Sequence, residues 1–200
     1  IDAANASQLD LIMVSTDDSE IAEISQNLGA KVPALRPKHL ASDRSPTIDT
    51  VIYTLEFFLR KGIGFDAVCL LQPTSPMRSA KDIDQAITAF KKQQTDSLIS
   101  VLPVPHEYNP HWTFEVEKAS NRLKIATGET AIITRRQELP TAYHRNGAIY
   151  LTKTSVILDQ KSLYGDTIGY YVMSSDNHVN IDTLDDWEKA EQLLLHLDNE

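Results

Sequence analysis

Short apolar runs alternate along the first half of the chain with segments in which apolar residues recur every three or four positions. The runs occupy residues 10–15, 31–35, 66–71 and 97–104. Short continuous apolar runs bounded by polar or turn residues are typical of buried strands, and the three- and four-residue spacing is typical of helices. Residues 10–104 therefore predict repeated strand–helix units, which form a largely parallel sheet with helices on its faces.

Local signals predict where four helices begin. Residues 16–18 (Thr-Asp-Asp) form a natural N-cap sequence, and Ser45 begins a second helix with a proline at its first position. Ser79 and Thr183 each precede an aspartate at capping-box spacing. The apolar faces that we expect to be buried are Ile21, Ile24 and Leu28 in the first helix, Ile48, Val51, Ile52, Leu55, Phe58 and Leu59 in the second, Ile83, Ala86, Ile87 and Phe90 in the third, and Leu184, Trp187, Ala190, Leu194 and Leu197 in the last.

Residues 105–144 interrupt this alternation. They contain prolines, Trp112 and two short alternating pieces at 113–116 and 123–126, which predict an inserted arm or hairpin and not a second domain. Exposed insertions of this kind often make subunit contacts. We therefore predict one α/β domain over residues 1–200 with an inserted arm at about 105–144. The remaining strands are predicted at 147–152 and 167–173.

Composition excludes several classes of protein. The net charge is −9 and the acidic residues are spread along the chain, which argues against nucleic-acid binding. No apolar run approaches the ~20 residues of a membrane-spanning helix. The single cysteine, Cys69, is consistent with a reducing compartment, so we expect a cytoplasmic protein. Because Cys69 lies within an apolar run, we expect an inert core thiol and not a nucleophile.

Several common catalytic motifs are absent from the sequence. None of the six histidines pairs with another histidine or with the cysteine at metal-ligand spacing, so a zinc site is not expected. The absence of G-x-S-x-G, P-loop and G-x-G-x-x-G patterns disfavours a serine hydrolase, a P-loop NTPase and a standard dinucleotide site.

A polar loop follows the third apolar run and reads QPTSPMR at residues 72–78. In open α/β sheets, ligands bind beyond the carboxyl ends of the strands. Gln72, Thr74, Ser75 and Arg78 are therefore expected where a substrate would lie, and the two prolines stiffen the loop. For Arg78, a salt bridge with a surface carboxylate is the alternative.

A second polar segment surrounds the start of the second helix. Arg36 ends the preceding apolar run, and residues 41–47, which include Asp43, Ser45 and Thr47, lead into the helix N-terminus. Backbone N–H groups at such a terminus could hold an anion or a base edge. Simple N-capping by Ser45 is the alternative.

The triplet Asn180-Ile181-Asp182 precedes the last helix. In an extended segment its alternation puts both polar side chains on one face. Carboxylate and amide oxygens suit Mg²⁺, which takes few protein ligands and keeps water and phosphate as the rest. An ordinary lead-in to the helix is the alternative.

Six segments, taken in order, carry a family resemblance. They are Val14-Ser15-Thr16-Asp17-Asp18 with Glu20-Ile21-Ala22, Arg36-Pro37, Leu40-Ala41-Ser42-Asp43, Leu70-Leu71-Gln72-Pro73-Thr74-Ser75-Pro76 with Arg78, Asn146-Gly147-Ala148-Ile149-Tyr150, and Ile181-Asp182 before Leu184-Asp185-Asp186-Trp187. Together they resemble the acylneuraminate cytidylyltransferases, the CMP-sialate synthetases, over nearly the whole chain.

The resemblance implies a Rossmann-like nucleotidyltransferase fold of three layers, with a mostly parallel sheet and a small dimerisation arm. It implies a homodimeric, Mg²⁺-dependent enzyme that transfers CMP from CTP to a nonulosonic acid, sialic acid or a relative, and releases pyrophosphate. Carried over by position, the residues that would bind the nucleotide are Arg36, Ser45 and Thr47, and those that would bind the sugar are Gln72, Asn146 and Tyr150. Arg136, from the arm of a neighbouring subunit, would contact the sugar carboxylate or a phosphate. Asp182 and Gln72 would act in catalysis, and Asp182 with Asn180 would bind Mg²⁺.

The chain departs from the family pattern in three places. The family opens with a strand and a glycine- and lysine/arginine-rich loop around the CTP phosphates, which this sequence lacks, so we expect weak CTP binding and little turnover from the chain as written. Asn180 stands where the family usually has the first aspartate of an Asp-x-Asp pair. Sialate enzymes of the family tend to have a lysine in the segment that aligns near Trp112, and this chain lacks it there. The sugar could therefore be sialic, legionaminic, pseudaminic or a related acid. The alternatives are another ulosonic acid as acceptor, or a non-catalytic nucleotide- or sugar-binding module.

Overall fold

A four-stranded sheet forms the centre of the molecule, and a two-stranded hairpin stands apart from it. The computed structural model describes residues 1–42, 44–175 and 178–197, with residue 197 lacking its side chain. The helices are α1 (Asp2–Asn5), α2 (Ser19–Asn27), α3 (Thr47–Leu59), α4 (Ala80–Gln93) and α5 (Leu184–Leu197), with a π-helical turn at Val156–Gln160. The strands are β1 (Ala67–Leu70), β2 (Ser97–Pro103), β3 (Phe114–Glu117), β4 (Arg122–Ile125), β5 (Tyr143–Lys153) and β6 (Ile168–Val172).

Three of the four strands in the main sheet share one direction. The strand order is β1-β5-β2-β6, in which β6 pairs parallel with β2 and β5 pairs antiparallel with both β1 and β2. The α/β class and the mostly common strand direction agree with the prediction. The reversed direction of β5 was not predicted, because an apolar run does not reveal which neighbour it pairs with.

The runs at 10–15 and 31–35 are not strands, so that part of the prediction is wrong. They meet at a single parallel bridge between Met13 and Lys31. The N–H of Val14 donates to Lys31 O at 3.0 Å, and the N–H of Lys31 donates to the carbonyl of the residue before Met13 at 2.9 Å. Pro33 then removes the next backbone donor, which prevents a longer ladder.

The core lies on both faces of the main sheet. On one face α4 and α1 pack over β2 and β5, with Ile83, Leu98 and Ile149 fully buried. On the other face α3 and the π-helical turn pack over β1, around Leu55 and Ile157. Alternate residues of β1 point to opposite faces, so this one strand contributes to both clusters.

Two predicted apolar faces are exposed instead of buried. In α2, Ile21, Ile24 and Leu28 are 51%, 52% and 46% exposed. In α5, Leu184 is 83% exposed and Trp187 is 55% exposed. An amphipathic pattern shows which face of a helix can be buried, but not whether another element covers it. For the rest of these faces, Leu59 and Leu194 are also exposed, and the Leu197 side chain lies outside the described residues. The residues buried as predicted are Ala190, Val51, Leu55, Phe58, Ile83 and Ala86, and those only partly buried are Ile48, Ile52, Ile87 and Phe90.

The predicted helix caps are confirmed with one shift. Asp18 caps α2 by accepting from two N–H groups, and Ser79 forms a complete capping box with the third residue of α4. Thr183 and Asp186 exchange the hydrogen bonds of the same pattern at α5. The second helix begins later than predicted, because Pro46 is its N-cap and not its first residue.

The interrupting segment contains the predicted hairpin, formed by β3 and β4. Its cross-strand pairs alternate in character: Phe114 faces Ile125 and Val116 faces Leu123, whereas the intervening pairs join Glu to Lys or Arg. One face of the hairpin is therefore apolar and the other is charged. Within the described residues, no helix combines the length and the apolar character needed to cross a membrane.

Candidate functional site

A bulge in β5 forms the centre of the candidate site. The pairing of β2 with β5 jumps from Tyr150 to Arg145, so that residues 146–149 lie opposite Ser100. Bulges redirect backbone and side chains out of the regular ladder. Within this bulge Gly147 has a φ of +81°, a left-handed conformation that glycine adopts without the steric cost of a Cβ.

Buried hydrogen bonds hold the bulge in shape. Ser100 Oγ donates to Asn146 Oδ1 at 2.6 Å and accepts from the N–H of Ile149 at 2.8 Å. Asn146 Oδ1 also accepts from the N–H of Ala148 at 3.3 Å, and Asn146 Nδ2 lies 3.0 Å from Met173 Sδ. Because Asn146 is buried and its amide is already engaged, this arrangement favours a shaping role over direct contact with a sugar.

Gly147 is where two predicted site residues meet. A Cβ at Gly147 would lie 3.3 Å from Gln72 Oε1 and 3.5 Å from Asn180 Oδ1. The N–H of Ile181 donates to Thr74 O at 2.8 Å, which joins the glutamine loop to the segment before α5. The loop after β1 and the segment before α5 therefore converge at the bulge.

Arg78 supports the glutamine loop from inside. Its Nη1 donates to the carbonyl oxygens of Gln72 at 3.1 Å and of Ala148 at 2.9 Å, so one guanidinium joins the loop to the bulge. Burial lowers the pKa of this guanidinium. The expectation that Arg78 faces a substrate is replaced by this structural role, and so is the alternative of a surface salt bridge. Ser75 is also buried.

Cys69 is the inert core thiol that we expected. It packs against the core cluster on the α4 face of the sheet. Burial raises the pKa of the Cys69 thiol to about 12, and the nearby Arg78 only partly opposes this. The thiolate that a nucleophile requires is therefore disfavoured at neutral pH.

Asp182 has an exposed carboxylate beside Asn180. Asn180 Nδ2 donates to Asp182 Oδ2 at 2.6 Å, so the two side chains meet as the alternation predicted. Asp186 does not add a third ligand, because it accepts from the N–H groups of Asp182 and Thr183 at 3.1 and 2.9 Å in the α5 cap. Among the described residues, no group of three or more His, Cys, Asp or Glu could hold a metal ion. One carboxylate with a nearby amide fits Mg²⁺ in its usual mode, in which substrate phosphates and water supply most ligands.

Arg36 lies beside the middle of α3. Its Nη2 is 3.5 Å from Asp17 Oδ1, and its N–H donates to Thr16 O at 2.7 Å. Tyr53 and Thr54 of α3 line the same shallow depression. Arg36 Nε is buried and has no hydrogen-bond partner in the part of the chain that the structure describes. Arg36 is thus fixed in place with some of its donors unused, which suits a residue that contacts a ligand.

Among the residues that the structure describes, no side chain caps the start of α3. Ser45 Oγ donates instead to His39 O at 2.9 Å and lies 2.7 Å from Ser42 Oγ. The alternative of simple N-capping by Ser45 is therefore wrong. Asp43, from the same segment, lies outside the described residues. The backbone N–H groups in the first turn of α3 could therefore still hold an anion or a base edge.

An open cavity of about 300 Å³ lies at this end of α3. Thr47 and Ile48 line one side, and Lys161 to Tyr164 line the other. The ring of Tyr164 is edge-on to that of Tyr150, with 6.3 Å between centroids. The cavity is therefore lined by a predicted nucleotide residue, Thr47, and by Tyr164, whose ring contacts that of a predicted sugar residue, Tyr150.

The structure does not bring Arg136 to this cluster. Arg136 begins a short 3₁₀ turn in the arm, and no hydrogen bond or ion pair among the described residues joins it to Gln72, Asn180 or Asp182. The predicted contact from a neighbouring subunit stays a prediction. The sequence reasoning missed Tyr164, which lies in a segment without a recognised motif, and Arg145, whose position beside the Asn-Gly-Ala-Ile-Tyr motif was the available signal.

Comparisons with known proteins agree on one family. A family model for cytidylyltransferases matches residues 1–199. The chain is 34% identical over 193 residues to the CMP-N,N'-diacetyllegionaminic acid synthase of Legionella pneumophila, covering 96% of this chain and 81% of that protein. It is 32% identical over 194 residues to N-acylneuraminate cytidylyltransferase A of Danio rerio, covering 96% of this chain and 43% of that protein.

A solved structure supports the fold independently. The CMP:2-keto-3-deoxy-manno-octonic acid synthetase in complex with CTP superposes with a TM-score of 0.69, over 98% of this chain and 85% of that one. The sequence identity is 14%, so this likeness speaks for the fold alone. The predicted nucleotidyltransferase fold is confirmed.

Proposed function

The chain belongs to the cytidylyltransferase family and is a nucleotidyltransferase, and on this premise we propose that it transfers CMP from CTP to the anomeric hydroxyl of a nonulosonic acid and releases pyrophosphate. The observation that carries this proposal is the convergence of Gln72 and Asn180 on Gly147, with Asp182 hydrogen-bonded to Asn180. It sets a neutral group that can bind sugar hydroxyls beside a carboxylate that can share a metal with phosphates. A reaction between a sugar hydroxyl and the α-phosphate needs these two functions side by side.

Charge is the main physical obstacle to this reaction. Both substrates are anions and the protein has a net charge of −9, so local cations must neutralise the reacting groups. Mg²⁺, when held by Asp182 with Asn180 nearby, would neutralise triphosphate charge and favour departure of pyrophosphate. Arg36, Ser45 and Thr47 would bind the cytidine half along α3, and Arg36 is supported there by Asp17.

The acceptor half would lie between the glutamine loop and Tyr150. In this arrangement Gln72 orients the sugar, and Asn146 maintains the bulge behind it. The names of the relatives support an acid of the nonulosonic class, since they refer to legionaminic and acylneuraminic acids. The experiment below determines which acid of this class is used.

A homodimer built through the arm completes the proposal. Phe114, Val116 and Leu123 share one face of the hairpin and are 44%, 59% and 67% exposed, which is unusual for a small sheet in a monomer. A second copy that covers this face would also offer its own Arg136 to the site. Light scattering should give a dimer for the wild type and a monomer for Val116→Glu, whereas Lys118→Glu in the hairpin turn should remain dimeric.

We propose the cytoplasm as the location of the protein because its single cysteine is a free thiol.

The activity is tested with the purified full-length protein, CTP, Mg²⁺ and a panel of acids, with pyrophosphate release as the readout. The panel contains sialic, legionaminic and pseudaminic acids and an eight-carbon ulosonic acid. We expect release with at least one nine-carbon acid and a sugar KM raised about tenfold in Gln72→Ala with the CTP KM unchanged, because one hydrogen bond to the sugar is lost. Gln192→Ala, at an exposed position of α5, is the matched control.

Three outcomes count against the proposal. Release with the eight-carbon acid alone would move the substrate to that class. Nucleotide or sugar binding without turnover for any acid would favour a binding module. If the protein neither binds these substrates nor releases pyrophosphate, the assignment of the site is wrong.

A further inference from the structure

Arg145 is hydrogen-bonded to Tyr164, a tyrosine that lines the cavity described above. It is the last residue of β5 before the bulge, and its Nη1 donates to Tyr164 Oη at 3.3 Å. The ring of Tyr150 is edge-on to that of Tyr164, with 6.3 Å between centroids. The hydrogen bond with Tyr164, followed by the nearby Tyr150 phenol, raises the pKa of Arg145. The bulge makes this grouping possible, because it brings residues on either side of it, Arg145 and Tyr150, to one place.

The positive charge of Arg145 is not neutralised within the described residues. No carboxylate among them lies within ion-pair distance of Arg145, whereas Arg36, Arg60 and Arg135 each have one. The neighbouring groups are phenols, which are neutral at physiological pH, and burial raises the pKa of Tyr150 further. Lys161, which lines the cavity, likewise has no ion-pair partner in the described part of the chain. In a protein of net charge −9, two uncompensated cations at one cavity indicate an anionic ligand.

The size and the partly apolar lining of the cavity favour the carboxylate of a sugar over a phosphate chain. Guanidinium groups bind carboxylates through two parallel N–H···O contacts, and a guanidinium already fixed on one edge loses little freedom when it binds. The rest of the cavity lining includes Ile48, Leu163 and the ring of Tyr164, which can pack against a sugar ring or its substituents. The cavity volume of about 300 Å³ lies at the lower end of the range for small-ligand sites, roughly 300–1,000 Å³, and is suited to one monosaccharide.

We infer that Arg145 binds the carboxylate of the acidic sugar, with Tyr164 and Tyr150 orienting its guanidinium and Lys161 adding positive charge to the cavity. This inference rests on the proposed function and deepens it, since it names the residue that distinguishes an acidic sugar from a neutral one. It differs from the assignment that the family resemblance implied, in which Arg136 of a neighbouring subunit meets the acid group.

The test compares the preferred sugar acid with its C1 carboxamide, which keeps the shape of the acid but lacks its charge. The whole protein is used, as wild type, Arg145→Gln, Arg145→Lys, Arg136→Gln and the control Arg60→Gln, whose arginine pairs with Glu56 at the end of α3. Both kcat/KM and binding by calorimetry are measured for each sugar. A charge-assisted hydrogen-bond pair predicts a wild-type preference for the acid of about tenfold to a hundredfold.

We expect Arg145→Gln to reduce that preference to about onefold by raising the KM for the acid, with the KM for CTP unchanged. Arg145→Lys should restore part of the preference, and Arg60→Gln should keep all of it. If Arg145 is only structural, both sugars will lose affinity equally and the ratio will stay at the wild-type value, which overturns the inference. Loss of the ratio in Arg136→Gln instead of Arg145→Gln overturns it as well.

The two proposals fail in distinguishable ways. Pyrophosphate release with an acid preference that does not depend on Arg145 leaves the proposed function standing and removes the inference. Acid-selective binding that depends on Arg145, without release for any sugar, leaves the inference standing and removes CMP transfer. If neither sugar binds the wild type, the inference is wrong.

Discussion

Replacing Gly147 by alanine tests the geometry on which the whole site depends. Gly147 has a φ of +81°, and a Cβ there would lie 3.3 Å from Gln72 Oε1 and 3.5 Å from Asn180 Oδ1. The substitution therefore has two effects, a backbone strain and a crowding of Gln72. A control is available because Gly62 has a φ of +74° with nothing within 4 Å of a Cβ, so that Gly62→Ala has the strain without the crowding.

The strain alone costs about 1–2 kcal/mol, because a left-handed conformation brings Cβ close to the following carbonyl oxygen. For a chain of this size, about 2–4 °C of melting temperature corresponds to each kcal/mol. We therefore expect Gly147→Ala and Gly62→Ala to lower the melting temperature by a similar roughly 2–8 °C. The contact at 3.3 Å must push Gln72 away by a few tenths of an ångström, whereas 3.5 Å to Asn180 is an ordinary van der Waals contact. Misplacement on the order of 1 Å can cost about a hundredfold in rate.

The assay is pyrophosphate release at a temperature well below both melting transitions. Gly147→Ala should lose between about tenfold and a hundredfold in kcat/KM, whereas Gly62→Ala should stay within about twofold of wild type. If Gly147→Ala keeps wild-type kcat/KM while losing the expected stability, the convergence of Gln72 and Asn180 does not form the reactive site. Equal losses of activity in both variants would mean that strain, and not crowding, is responsible.

Three further predictions follow from buried groups and the metal site. Ser100→Ala leaves Asn146 Oδ1 without its 2.6 Å partner and should lower the free energy of unfolding in urea by about 1–3 kcal/mol, compared with about 0.5 kcal/mol or less for the exposed Thr88→Ala; equal losses would show that the bulge does not depend on this bond. Asp182→Ala should abolish Mg²⁺-dependent turnover with an unchanged melting curve, Asp185→Ala should not, and Asn180→Asp should shift the Mg²⁺ titration to lower concentration; near-normal activity in Asp182→Ala would exclude the metal role. Burial raises the pKa of Cys69 to about 12, above the ~8.5 of an unfolded thiol, so the contribution of Cys69 to stability is complete below pH ~8.5 and is lost as the pH rises towards 12. The urea midpoint should therefore fall less steeply at alkaline pH in Cys69→Ala than in the wild type. Parallel curves of urea midpoint against pH would contradict the assignment.

The features that could be predicted from the sequence are those with local physical causes. Helix caps at Asp18, Ser79 and Thr183 depend on residues within one turn, and all three are present. The glutamine loop and the Asn180–Asp182 pair were predicted from strand ends and alternation, and the structure joins them at Gly147. The family resemblance added the fold, which the comparisons confirm.

The features that could not be predicted depend on distant pairing and on side-chain direction. The reversed direction and the bulge of β5 arise from its partners β1 and β2, which no local pattern reveals. The sequence likewise does not show in which direction an arginine side chain points. Arg78 points inward to carbonyl groups, and Arg145 lies against a phenol. The exposed apolar faces of α2 and α5 have the same cause, since periodicity describes a helix and not what surrounds it.

The antiparallel pairing of β2 with β5 also makes the arm a long loop between two strands that are bonded to each other directly. Pro103 pairs with Tyr143, and the N–H of Val104 donates to Ala142 O at 2.9 Å, so the base of the arm is closed before the bulge begins. The entropy of closing such a loop grows only with the logarithm of its length, by about 0.6 kcal/mol for each doubling. The arm can therefore lengthen, shorten or change its surface at little thermodynamic cost to the strand that carries the site, which leaves partner choice free to diverge while the chemistry is retained.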